Sequence, residues 1–258
     1  MNFSEDQLIA YLVAFFWPFL RISSMFLSMP VISVNTVPAK LKVFLSLLIT
    51  MTLYPVLPQM PDIPPFSAAG WMVTVQQLLI GLATGFILQM VFSIMLFAGQ
   101  SIAYSMGLGF ASLVDPTTGV QTPVIAQLFI IASSLTFLAV DGHLLLIEML
   151  AQSFYTLPVA VSGLQTDDLW RMISWSSQIF AGGLLLALPV ISTLLFVNIC
   201  FGIASKAAPQ LQLFGVGFPI TILLGMALVW IGIVEMLDAF TDMLQQGFKL
   251  VGELLRLS

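Results

Sequence analysis

Charge is what this sequence has least of. Only 7% of its 258 residues are Asp, Glu, Lys or Arg, where soluble domains carry roughly 25%, so an ordinary hydrated surface is excluded. Cys200 is the single cysteine, which rules out a disulfide framework within the chain and a cysteine-based metal site. His143 is the single histidine, and neither Gly-Lys-Ser/Thr nor Gly-x-Ser-x-Gly occurs. Zinc-protease, phosphate-loop and hydrolase signatures are therefore missing. Gly107-x-Gly109 is only a fragment of a dinucleotide fingerprint, with no βαβ pattern around it. The residues point away from an enzyme, and no cofactor or metal is expected. Twelve acidic against seven basic side chains give a net charge of −5, and without a basic stripe nucleic acid is not an expected partner.

What fills the sequence instead is apolar: 59% of residues are hydrophobic. Long runs cover Leu8–Val34, Leu41–Leu57, Trp71–Gly99, Val124–Val140, Leu144–Leu157, Met172–Ala204 and Leu211–Val234. The expected class is an all-α, membrane-associated protein. The acidic start, Met1-Asn2-Phe3-Ser4-Glu5-Asp6, lacks the basic region of a cleaved signal, so the first run is read as a retained helix. Pro58-Gln59-Met60-Pro61-Asp62-Ile63-Pro64-Pro65 is too rich in proline to be helical. A membrane span needs roughly 20 apolar residues. Val124–Val140 and Leu144–Leu157 fall short of that, while Met172–Ala204 exceeds it and contains Gly182, Gly183 and Pro189, where a kink or break is expected. Irregular lengths of this kind are unlike a bundle of straight spans.

Topology turns on Asp141-Gly142-His143. If these residues form a turn, Lys40, Lys42, Arg171, Lys249 and Arg256 share one side of the membrane, and only Lys206 lies opposite. A single span through them would divide the cations evenly. The positive-inside rule favours the turn, with the C-terminus in the cytoplasm.

Polar groups within apolar runs are few. Arg21, after Trp17-Pro18-Phe19-Leu20, is either a functional charge at membrane depth or a structural contact beside a helix broken at Pro18; the structural reading is preferred. Asp141 and Glu148, seven apart, share a face if the helix is continuous, and with His143 they can be read as a proton relay. Yet Asp-Gly is a strong turn signal, so an exposed, capping role is the expectation. Glu235, Asp238 and Asp242 make an acidic face on an amphipathic tail with Lys249, Glu253 and Arg256, read as a solvated or partner-facing surface. Gly81, Gly85, Gly99, Ser101, Gly182, Gly183 and Gly202 suit close helix contacts. Fourteen methionines, among them Met90, Met95 and Met106, supply deformable apolar surface, mostly as core filling.

From Ile63 to Val114 there is no charged side chain, and this stretch ends in Met106-Gly107-Leu108-Gly109-Phe110-Ala111-Ser112-Leu113-Val114-Asp115-Pro116-Thr117-Thr118-Gly119. Glycine and proline both interrupt helix here, amid apolar neighbours. Irregular backbone cannot face lipid, so such a segment must be buried in protein or line an aqueous path. It is the natural place for a pore or gate.

The run from Met106 to Pro123 closely resembles the FliR family of flagellar export-gate proteins, and more distantly its type III secretion counterparts in injectisomes (the SctT group). Arg21, Val37-Pro38-Ala39-Lys40-Leu41-Lys42, Asp141-Gly142-His143 and Asn198–Gln210 support the likeness, which covers essentially the whole chain. The resemblance implies an export gate assembled with FliP and FliQ, neighboured by FlhB and FlhA, which passes unfolded flagellar proteins. It implies an export-gate fold of kinked helices and hairpins, with residues 1–171 FliP-like and residues 172–258 a FliQ-like hairpin and tail. It also implies an inner-membrane complex of the flagellar basal body, raised towards the periplasm. Within it residues 106–122 would plug the channel: Met106, Gly107, Leu108, Gly109, Phe110, Ala111, Ser112, Leu113, Val114, Asp115, Pro116 and Gly119. Arg21, Asp141, Glu148 and Lys206 remain candidate structural contacts. Two other classes stay open: a small-solute secondary transporter built around Arg21, Asp141 or Glu148, and a pure assembly scaffold.

Overall fold

The computed structural model of the chain describes residues 5–31, 38–109, 123–207 and 217–257. Among these residues there is no strand. The helices are α1 (Glu5–Ser28), α2 (Ala39–Leu53), α3 (Ala68–Ser105), α4 (Val124–Ala139), α5 (Gly142–Thr156), α6 (Thr166–Trp175), α7 (Ser177–Ala207) and α8 (Phe218–Leu254).

Their ends follow local chemistry. The proline-rich segment after Leu57 is not helical, and Ser67 then caps α3 by accepting the Gly70 N–H on its hydroxyl at 3.0 Å. Asp141 separates α4 from α5 in left-handed backbone, φ 55°. Its side chain caps nothing; its carbonyl accepts from the Leu144 and Leu145 N–H groups instead. The chain thus turns here rather than continuing one helix.

Three expectations are corrected. Pro18 does not break α1, which runs through it. No break falls at Gly182, Gly183 or Pro189: α7 is helical across all three, and the interruption is the single residue Ser176, between α6 and α7. Apolar helices tolerate proline when neighbouring groups absorb the freed backbone polarity. Finally, the acidic tail is no separate segment, because α8 continues without interruption from Phe218 to Leu254.

The chain divides into two compact units. The first comprises Met1–Met90, Val140–Trp175 and Leu244–Ser258. Its core gathers Trp17, Val73, Phe154 and Val159. Gly81 and Gly85 of α3 lie against the α1 backbone, so that a side chain at Gly85 would come within 2.7 Å of the Met25 carbonyl. The approach is the small-residue packing expected of apolar helices. The hydroxyls of Tyr155 and Thr156 tie the end of α5 to the carbonyls of Val56 and Leu255.

The second unit comprises Val91–Ala139 and Ser176–Met243. Phe92 meets Phe137 and Phe240 edge-on, with centroids 5.7 and 5.3 Å apart. Gly99 sits so close to α4 that a Cβ would be 2.6 Å from the Ala126 Cα. Gly183 is similarly pressed against Phe97 and the Ile94 carbonyl. Gly202 has nothing within 4 Å among the described residues, so the close contact expected there does not form among them.

Among the described residues, four helical stretches are long and apolar enough to cross a membrane: Ala39–Val56, Ala68–Ser105, Thr166–Lys206 and Phe218–Leu254. The broken pair α4 and α5 passes only when joined. The most apolar window of Ala68–Ser105 is 67% buried, against 11%, 17% and 22% in the other three. α3 is therefore covered by its own chain, and the other three present apolar surface outward.

Candidate functional site

Two places in the chain draw together the residues singled out in the sequence. The first is the base of the glycine loop, in the second unit. α3 ends at Ser105, and Met106 donates its N–H to the Ile102 carbonyl at 2.9 Å. Gly107 then takes φ 84°, a left-handed conformation that costs glycine little. The Gly107 N–H donates to the Tyr104 carbonyl and the Leu108 N–H to the Ala103 carbonyl, both at 3.0 Å. This is a Schellman ending, in which a left-handed residue closes off the last orphan carbonyls of the helix. Gly107 is thus required for stopping α3, whereas Gly109 has no positive φ and lies beside the Tyr104 ring.

Met106 is only 1% exposed. Its side chain rests on Gly225 of α8, where an added Cβ would stand 2.6 Å from the Met106 Cγ and 2.8 Å from its Sδ and Cε. Gly225 carried no weight in the sequence reading. A glycine within the apolar first half of α8 is the available signal, because such a residue usually has a packing reason. Phe110, Ala111, Ser112, Leu113, Val114, Asp115, Pro116 and Gly119, the remaining residues assigned to the plug, lie outside the described residues.

The second place is Arg21, in the first unit. Arg21 is fully buried. Its Nε donates to Gln77 Oε1 at 2.7 Å. One terminal nitrogen donates to the Ser153 hydroxyl at 2.9 Å and carbonyl at 3.1 Å, and the other to the Leu157 carbonyl at 2.9 Å. Its guanidinium carbon lies 4.1 Å from the centroid of the Phe154 ring, a cation–π contact. Every one of these partners is uncharged. Ser153 and Leu157 mark the end of α5, where unpaired carbonyls and the helix dipole concentrate negative potential. Arg21 is therefore a cation delivered by α1 to the C-terminus of α5, and α3 holds it in place through Gln77.

The other polar candidates are not drawn into either place. Asp141 and Glu148 are exposed, and Glu148 accepts a hydrogen bond from the Gln152 amide one turn on. Lys206 is exposed in the last turn of α7, where a cation complements the helix end. Glu235, Asp238 and Asp242 are exposed along one side of α8. Beyond these lies a strip of uncovered apolar residues on the same helix, including Trp230 at 82% and Ile231 at 76% exposure.

Helices of spanning length, apolar faces left uncovered and a capped glycine turn define a helical membrane protein built to be enclosed by other apolar surfaces. Residues 12–247 match the family described as bacterial export proteins, family 1. The chain is 38% identical over 229 residues to the flagellar biosynthetic protein FliR of Escherichia coli (strain K12), covering 89% of this chain and 87% of that one. It is 39% identical over 225 residues to FliR of Pectobacterium carotovorum subsp. carotovorum, covering 87% and 86%. With FliR of Bacillus subtilis (strain 168) the identity is 27% over 220 residues, covering 84% and 85%. The chain belongs to this export-protein family, the family of the flagellar FliR proteins.

Proposed function

We propose that this chain is a subunit of the flagellar type III export gate in the bacterial inner membrane. It combines with FliP and FliQ around the channel that passes unfolded flagellar proteins, and FlhB and FlhA adjoin it. In this reading residues 1–171 are the FliP-like part, residues 172–258 are the FliQ-like part, and the assembled core is raised towards the periplasm. Residues 106–122 plug the resting channel. Its work is conduction and closure rather than catalysis.

The observation that carries the reading is the uncovered apolar surface of three span-length helices, in a chain of this family. Exposed apolar area on this scale marks a surface meant to be covered, and a gate assembled from several helical subunits would cover it. The capped turn at Gly107 supports the plug assignment, since it ends α3 abruptly and launches the glycine loop. Leu108, Phe110, Leu113 and Val114 would supply an apolar constriction of the kind that excludes water and ions. A small-solute transporter is disfavoured because Arg21 is bonded to structural acceptors, while Asp141 and Glu148 lie on exposed surface.

Co-expression tests the reading. With FliP and FliQ the chain should purify in mild detergent as one defined complex, and without them it should aggregate or be degraded. A monodisperse, folded monomer would contradict it.

A further inference from the structure

We infer that Gly225 is the seat that fixes the N-terminal foot of the plug, receiving Met106 so that the glycine loop starts from one defined position. This inference rests on the plug reading given above and adds a residue to it on a different helix, remote in sequence.

The geometry is specific. Met106 is the last residue before the left-handed turn at Gly107, so its placement sets where the following chain begins. Its side chain is buried against α8 at a point where the helix has no Cβ: three of its atoms, Cγ, Sδ and Cε, lie within 2.8 Å of where that Cβ would stand. Contacts under about 3 Å between carbon atoms are repulsive, because the optimum lies near 3.5–4.0 Å. Any side chain at position 225 must therefore push Met106 aside. Methionine is unbranched and can yield to a small intrusion, so alanine is a mild perturbation and leucine a severe one. Neighbouring positions on α8 do not duplicate the contact: Gly232 has only Met236, on its own helix, within 4 Å, at 3.8 Å.

The consequence is a division of labour inside the glycine loop. Met106, although part of the sequence motif, is an anchor rather than a blocking residue. It is held on α8, while the chain beyond Gly107 does the sealing. Gly225 is correspondingly a positioning residue, which touches neither ions nor exported protein. Overpacking of this kind typically shifts a seated-to-unseated equilibrium by about 5- to 150-fold, enough to open the seal in a measurable fraction of complexes.

The test uses the complex assembled with FliP and FliQ. Gly225→Leu should raise ion leakage towards that of a complex lacking Gly107–Gly119. Shortening the side chain that it displaces, in Met106→Ala with Gly225→Leu, should lower the leakage again, a rescue that a general defect of α8 would not give. A second, independent measurement uses Met106→Cys with Gly225→Cys in a Cys200→Ser background. The Met106 Cγ, near where a cysteine sulfur would sit, lies 2.6 Å from the position of a Cβ at residue 225, so the two thiols would be close neighbours. A disulfide should form in the resting complex on mild oxidation. If Gly225→Leu assembles and stays ion-tight while the loop deletion leaks, the plug stands and its seat on Gly225 is overturned. If the deletion is also tight, the plug itself fails. Should Gly225→Leu not assemble, the cysteine pair decides, and absence of the disulfide overturns the inference.

Discussion

Arg21 of α1 donates from Nε to Gln77 Oε1 of α3 at 2.7 Å, and both side chains are fully buried. That bond orients the guanidinium so that its terminal nitrogens reach the Ser153 and Leu157 carbonyls at the end of α5. Three helices distant in sequence are joined through one cation without a counter-charge among its partners. Removing it would take that donor from the buried Gln77 Oε1 and from the Leu157 carbonyl, at a cost of about 1–3 kcal/mol each, while the Ser153 carbonyl keeps the Leu157 N–H.

Arg21→Met is therefore expected to destabilise the protein by several kcal/mol, lowering the thermal midpoint of the complex assembled with FliP and FliQ. Arg21→Lys should recover only part of the loss, because an ammonium cannot reproduce the planar fork. A midpoint unchanged in Arg21→Met would show that the contacts carry no stability.

Gln77 offers a test of opposite sign. Its Nε2 is buried without a hydrogen-bond partner, so the amide is only half used. Gln77→Glu removes that orphan donor and gives Arg21 a counter-ion, and should leave stability equal or raised. Gln77→Leu strands the Arg21 Nε–H and should lose about 1–3 kcal/mol. Thermal unfolding of the two variants side by side separates them; the reverse order would mean that desolvating the new carboxylate outweighs its attraction to the guanidinium.

Small residues separate internal packing from external. Gly81→Val and Gly85→Val would drive a side chain into the α1 backbone, which cannot yield, and each should cost at least the roughly 1–3 kcal/mol typical of overpacking. Gly202→Val meets nothing within 4 Å among the described residues. Any fall in complex yield from Gly202→Val, with the helical signal of the chain intact, would locate a partner subunit at that face.

Gly107 carries the only positive glycine φ among the described residues. A non-glycine residue held there costs about 1–3 kcal/mol, more for a β-branched one. Gly107→Val should unwind the end of α3, displace Met106 and raise leakage; Gly107→Asn, which tolerates left-handed backbone, should do so much less. Equal leakage from both would contradict a role for the turn.

Much of this architecture was legible in the sequence. The turn at Asp141, the unwound proline segment and the helical character of the apolar runs over their described residues follow from local preferences, and so do the close approaches at Gly81, Gly85 and Gly99. What local reasoning could not reach was set by tertiary contact. Pro18 and Pro189 leave α1 and α7 continuous, while Ser176, with no breaking propensity, is where the chain interrupts itself. The acidic residues after Val234 looked like the start of a tail, yet an exposed face of a continuing helix needs no change of structure to carry charge. Arg21 was visible as an anomaly, but Gln77, Ser153 and Leu157 lie far along the chain. Gly225 gave no sign of its occupant for the same reason.

The membrane conductance of the assembled gate tests the central claim most directly. Cells co-expressing this chain with FliP and FliQ would be compared at high external salt, with the intact sequence and with Gly107–Gly119 deleted. The expected result is that the deleted complex still assembles and raises conductance and slows growth, and that neither happens when FliP and FliQ are withheld. A deleted complex that assembles, stays ion-tight and exports normally would contradict the claim that this chain closes the export channel.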